Sequence, residues 1–225
     1  MKHVFALAMI GCAILCAAAR VDAQVTVKVD PSAGWIGFMN VFELPANGGG
    51  YVFGSPWGTA DLVATFSGPV LTLGPNSVND ISTFWYQGGG MPGAPGNKTM
   101  DANMYVEQTG PLSGQPVTFQ GSVLANSLVS PYTSVAFIKD FAPDYSSNVA
   151  VTVPLTPGPF SISLATINDP TRHVQYGFET IGPNVWITDA PGVGSVQIAA
   201  VPEPATLVLV GIAACGLMAR RRRRG

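Results

Sequence analysis

Between residues 24 and 200 the chain is written in short apolar runs that alternate with polar residues and break at glycine, proline, asparagine or aspartate. A period of two sends successive side chains to opposite faces, so each run predicts a half-buried β-strand. Three runs are especially clear. Val117, Phe119 and Val123 oppose Thr118, Gln120 and Ser122; Phe160, Ile162 and Leu164 oppose Ser161 and Ser163; Val174, Tyr176 and Phe178 oppose His173, Gln175 and Glu179. Further strands are expected at 25–29, 35–44, 61–66, 81–87, 100–108, 133–141, 148–153, 185–188 and 195–200, which are rich in β-branched and aromatic residues. No stretch here keeps a 3.6-residue apolar period over ten residues, so no substantial helix is expected. About a dozen strands set apart by turn signals predict an all-β domain, an antiparallel β-sandwich of jelly-roll type, with a closed barrel as the alternative. Ala46–Gly58 and Gln87–Met100 read as long glycine-rich loops.

The ends follow other patterns. Lys2 and His3 precede an unbroken apolar stretch, Val4 to Ala19, which is followed by Arg20 and Asp22. This is the pattern of a secretory signal helix, residues 1–23, and it implies signal peptidase as a partner. The expected cut lies between Ala23 and Gln24, with a cut after Ala19 as the second choice. At the other end Val201, Pro202, Glu203 and Pro204 lead into a 15-residue apolar run, Ala205 to Ala219, and then Arg220, Arg221, Arg222, Arg223 and Arg224. As a helix that run spans about 22 Å, short of the ~30 Å hydrocarbon core, so a single transmembrane helix here is a marginal one. The arginines would stay in the cytoplasm and the body outside. Three segments result: signal peptide 1–23, β-sandwich 24–200, and C-terminal device 201–225.

Charge and cysteine content narrow the function. The body holds four cations (Lys28, Lys98, Lys139, Arg172) against eleven carboxylates, a net charge of −7 with no basic cluster. Nucleic acid is therefore not an expected partner, because phosphate contacts dominate that affinity. Cys12, Cys16 and Cys215 all lie in the terminal segments, which removes disulfides, a thiolate metal site and a cysteine nucleophile from the body.

Candidate chemistry is sparse. The body's one histidine, His173, falls on a polar strand face, and no Gly-x-Ser-x-Gly or His-Glu-x-x-His motif accompanies it. A non-catalytic protein is expected, with a carboxylate-pair enzyme acting on polysaccharide as the alternative, since two acids at suitable separation suffice for that chemistry. Asp140, Asp144 and Asn148 supply oxygen atoms in one short segment and are the candidate Ca²⁺ ligands. No other cofactor is expected. Trp57, in a Gly/Pro loop, and the Trp85–Tyr86 pair are the candidate glycan contacts, since a regular strand would turn one of that pair outward.

The C-terminal segment resembles a PEP-CTERM sorting signal in all three of its parts and their order: Val201-Pro202-Glu203-Pro204, an apolar segment with Leu207, Leu209, Gly211 and Gly216, and the arginine cluster. The resemblance implies processing by exosortase, an integral-membrane transpeptidase of diderm bacteria with exopolysaccharide systems. It also implies a transient membrane stage with Arg220–Arg224 as the cytoplasmic retention end, then delivery to the cell surface or extracellular matrix. A plain membrane anchor is the alternative for the same residues. A structural or adhesive role with weak contacts to exopolysaccharide is the expectation that follows.

Overall fold

The computed structural model describes residues 24–200. The predicted signal helix with Ala23, the PEP motif Val201–Pro204, the membrane helix and Arg220–Arg224 lie outside the described residues. Twelve strands run in chain order: β1 (Val25–Lys28), β2 (Ile36–Glu43), β3 (Tyr51–Trp57), β4 (Ala64–Ser67), β5 (Val70–Leu73), β6 (Lys98–Thr109), β7 (Pro116–Asn126), β8 (Thr133–Phe141), β9 (Asn148–Pro154), β10 (Gly158–Ala165), β11 (His173–Pro183) and β12 (Val196–Ala199). Among the described residues the only helical turns are a 3-10 turn at Pro45–Asn47 and the four-residue α1 (Ala190–Val193). Among the described residues no helix is long and apolar enough to cross a membrane.

The strands form two six-stranded sheets. In the first, β4, β5, β12, β7 and β10 lie side by side; in the second the order is β3-β2-β6-β11-β8-β9. Taken alone, β5-β12-β7-β10 faces β6-β11-β8-β9, and successive strands alternate between the sheets except at the β8–β9 pair, which stays within the second. That is the interleaved order of a jelly roll, extended on one side by β4 and by the β2–β3 hairpin. β1 pairs with Val117–Gln120 of β7 in parallel, whereas β12 pairs antiparallel with Ser122–Asn126 of the same strand. Because β10 occupies the other edge of β7 from Pro116 to Val123, overlapping both stretches, β1 and β12 share one lane and converge near Gly121.

The alternation read from the sequence explains the core. Val117, Phe119, Val123, Phe160, Ile162, Val174, Tyr176 and Phe178 all turn inward. Phe119 contacts the rings of Phe160, Tyr176 and Phe178 at centroid distances of 5.3 to 5.4 Å, and Trp35 stacks on Phe178 at 6.0 Å. Each such ring buried contributes on the order of 2–3 kcal/mol. At one end of this interior Arg172 donates from Nε to Asp140 Oδ1 at 2.8 Å and from Nη2 to Asp140 O at 2.8 Å, and Ile167 N–H donates to Asp140 Oδ2 at 2.7 Å.

Four readings are corrected. The expected loop at 46–58 contains β3, which tolerates Pro56 because it is an edge strand whose N–H on one side faces no partner. The four-residue β5 forms where the sequence pattern predicts no strand. Residues 81–87 form turns with a single bridge from Tyr86 to Gly96, since their aromatic side chains are anchored one by one rather than in a ladder. Residues 185–188 are likewise not a strand; Trp186 packs edge-on against Tyr86 at 5.3 Å.

Candidate functional site: a polar groove on the outer face of the second sheet

In β6 the even-numbered residues Met100, Ala102, Met104 and Val106 enter the core, so the odd-numbered Asp101, Asn103, Tyr105 and Glu107 project from the opposite face. The same rule turns Phe38 and Asn40 of β2, Phe137 and Lys139 of β8, and Gln175 and Glu179 of β11 outward. This face is not freely solvated. Asn103 and Gln175 are buried, and Tyr105 is 9% exposed. A groove of about 500 Å³ lies over them, lined by Phe38, Asn40, Asn103, Tyr105, Glu107, Lys139, Phe141, Tyr145 and Gln175.

Tyr145 forms one wall. It sits in the β8–β9 connection with a positive φ of 58°, rare for a bulky side chain, and is 49% exposed. Its ring lies 4.4 Å from that of His173 with 9° between the planes, and its hydroxyl donates to Glu107 Oε1 at 2.9 Å. Loss of hydration and that hydrogen bond push the phenol up to about 12. Glu107 also accepts from Gln175 Nε2 at 2.7 Å. His173 Nδ1 lies 2.7 Å from Thr109 Oγ1, so the histidine props the tyrosine rather than facing the groove.

The floor continues into a charge network. Lys139 Nζ lies 4.1 Å over the Phe137 ring and donates to Asn103 Oδ1 at 2.9 Å and to Glu179 Oε2 at 2.8 Å. Asp101 accepts from Asn103 at 2.7 Å and Asn40 at 3.1 Å. Burial, then repulsion from Glu179, raises its carboxyl from 3.8 to about 6. Gly177 makes this packing feasible: a Cβ there would lie 2.1 Å from Met104 O and 2.6 Å from Tyr105 Cα.

A second cavity, about 690 Å³, opens at the seam between β1 and β12, lined mainly by residues 26–33 with Tyr176 and Ala200. Ala200 N–H is bonded to Pro69 O at 2.7 Å, so the chain leaves the sandwich from the wall of this cavity into residue 201. The residues beyond settle what that departure is for: 200–224 match the family model of the PEP-CTERM protein-sorting motif. The chain carries a PEP-CTERM sorting motif. The PEP-CTERM motif marks it for export and cell-surface sorting, with exosortase as processing partner. The motif covers the tail alone; no curated protein and no solved structure matches the chain.

The residues singled out in the body fare differently from those in the PEP-CTERM tail. Tyr86 is fully buried and its hydroxyl bonds Val78 O at 2.8 Å, which removes it as a glycan contact. Trp85 and Trp57 are partly buried against the core, and Trp57 Nε1 donates to Ser55 at 2.9 Å; none of the three lines either cavity. Asp140 is held by Arg172 inside the sandwich, while Asp144 is exposed and accepts from Ser146 N–H and Oγ–H. Asn148 is exposed at the start of β9. The candidate calcium trio is therefore split between interior and surface. Among the described residues no three His, Cys, Asp or Glu side chains gather as a metal site. Gln24, the expected new N-terminus, bonds Thr118 through its side chain.

Proposed function

We propose that this is an exported, non-catalytic surface protein whose β-sandwich holds an extracellular polysaccharide in the groove on its second sheet. In this reading the 201–225 segment keeps the chain at the membrane until exosortase acts, and the body then serves as an adhesive or structural element of the surface or matrix. The single observation that carries the glycan role is Tyr145. Its ring is held flat by His173, half exposed, beside a row of amide and carboxylate groups. Aromatic faces stack on the apolar faces of sugar rings, and neighbouring amides select their hydroxyls.

In native gels cast with exopolysaccharide from an exosortase-bearing host, the wild-type chain should be retarded and Tyr145→Ala should not. Equal mobility of the two would sink the reading.

The carboxylate-pair enzyme remains a second reading on one observation: Asp101, raised to about 6, stands near Glu179. Both carboxylates are already engaged, with Asn40 and Asn103 in one case and Lys139 in the other, which favours binding over hydrolysis. New reducing ends formed by wild type and abolished in Asp101→Asn would reverse that preference.

A further inference from the structure

We infer that the glycan this groove takes is an amino-sugar polysaccharide with free ammonium groups, and that Glu107 receives them. This ligand class rests on the groove being a glycan site and adds its charge.

The charged side chains on this face are Asp101, Glu107, Glu179 and Lys139, with His173 at the rim behind Tyr145. Lys139 is spent. It is bonded to Glu179 at 2.8 Å and to Asn103 at 2.9 Å, and its charge also rests on the Phe137 ring. A uronate, sulfate or phosphate on an incoming sugar therefore meets no uncommitted lysine or arginine, and meets the Glu107 carboxylate in the groove lining instead. Glu107 is the reverse case. It accepts from Tyr145 and Gln175, which are neutral, and His173 Nδ1 lies 3.7 Å from its Oε1, but no lysine or arginine pairs with it among the described residues. A carboxylate offers about four acceptor positions, so about two remain to receive N⁺–H donors. Glu107 adjoins Tyr145 and Tyr105, whose ring faces also attract cations. The −7 charge of the body supports the same sign at longer range.

The test compares three hexamers by calorimetry with the full-length chain at pH 6: β-1,4-linked glucosamine, its fully N-acetylated form, and oligogalacturonate. Wild type should bind the free amine at least tenfold tighter than the acetylated form and should not bind the uronate. Glu107→Gln, an isostere, should bring the first two within threefold. In wild type alone, raising NaCl from 20 to 300 mM should weaken only the free-amine complex, which keeps the test decisive if the variant misfolds. Equal binding of free and acetylated amines, or preference for the uronate, would overturn the ligand class and leave the glycan groove standing. If wild type binds none of the three, both readings fall.

Discussion

A single residue separates what this sandwich does inside from what it does outside. Asp140 and Asp144 stand four positions apart, yet one closes a buried ion pair with Arg172 and the other closes an exposed turn. The second behaviour was legible: Asp30-Pro-Ser32, Asp144-Tyr-Ser146 and Asp169-Pro-Thr171 repeat one pattern, in which the carboxylate accepts from the N–H and hydroxyl two residues on. The first was not, because Asp140 belongs to the inward series of β8 and its partners, the Ile167 N–H and the Arg172 guanidinium, come 27 and 32 residues later. Asp140→Ala should cost about 3–5 kcal/mol in denaturant unfolding, since it strands the guanidinium in the interior. Asp140→Ala with Arg172→Met should recover a large part of that loss. If the double variant is no more stable than the single, the buried pair is not what Asp140 contributes.

At the scale of elements, the strands with clean alternation, β7, β10 and β11, stood out in the sequence because one side chain in two is paid in burial. β3 was hidden by Gly54 and Pro56. The glycine is imposed by crowding, as a Cβ there would lie 2.6 Å from the Tyr51 hydroxyl and 2.8 Å from Phe38. The groove was hidden for another reason: its parts come from β2, β6, β8, β11 and one connection, and their meeting depends on register. A partial signal existed in β6, where Asp101, Asn103, Tyr105 and Glu107 alternate with core residues and place an aromatic among polar neighbours. Register also makes Gly177 decisive, since it stands opposite Tyr105 on one side and Phe137 on the other. Gly177→Ala should force β6 and β11 apart, costing about 3 kcal/mol and lowering Tm by about 8 °C. Thermal melts that match wild type would mean the sheet yields there at no cost.

For the whole molecule, pH acts through groups whose shifts have opposite signs. Asp101, raised to about 6, holds a proton in the folded state that the unfolded chain releases near 3.8, so it makes stability fall as pH climbs from about 4 to 6. Asp30, Asp144 and Asp169 are lowered by their turn hydrogen bonds, so their smaller contributions are present above the ordinary carboxylate range and fade on acidification. The sandwich should therefore be most stable in mildly acidic solution. From that maximum to pH 7 it should lose on the order of 2 kcal/mol, and Asp101→Asn should flatten that descent. An unchanged slope in the variant would assign the titration to another group. The lane shared by β1 and β12 carries a consequence of a different kind. β12 lies between β5 and β7, so until residues 196–199 arrive the first sheet has a gap at its centre, and β5 has no neighbour but β4. Closure joins β12 to β7 and, across more than a hundred residues, to β5, which makes it a late and slow event. A chain that emerges N-terminus first therefore keeps an open first sheet until β12, the last strand before the sorting motif among the described residues, slots into place.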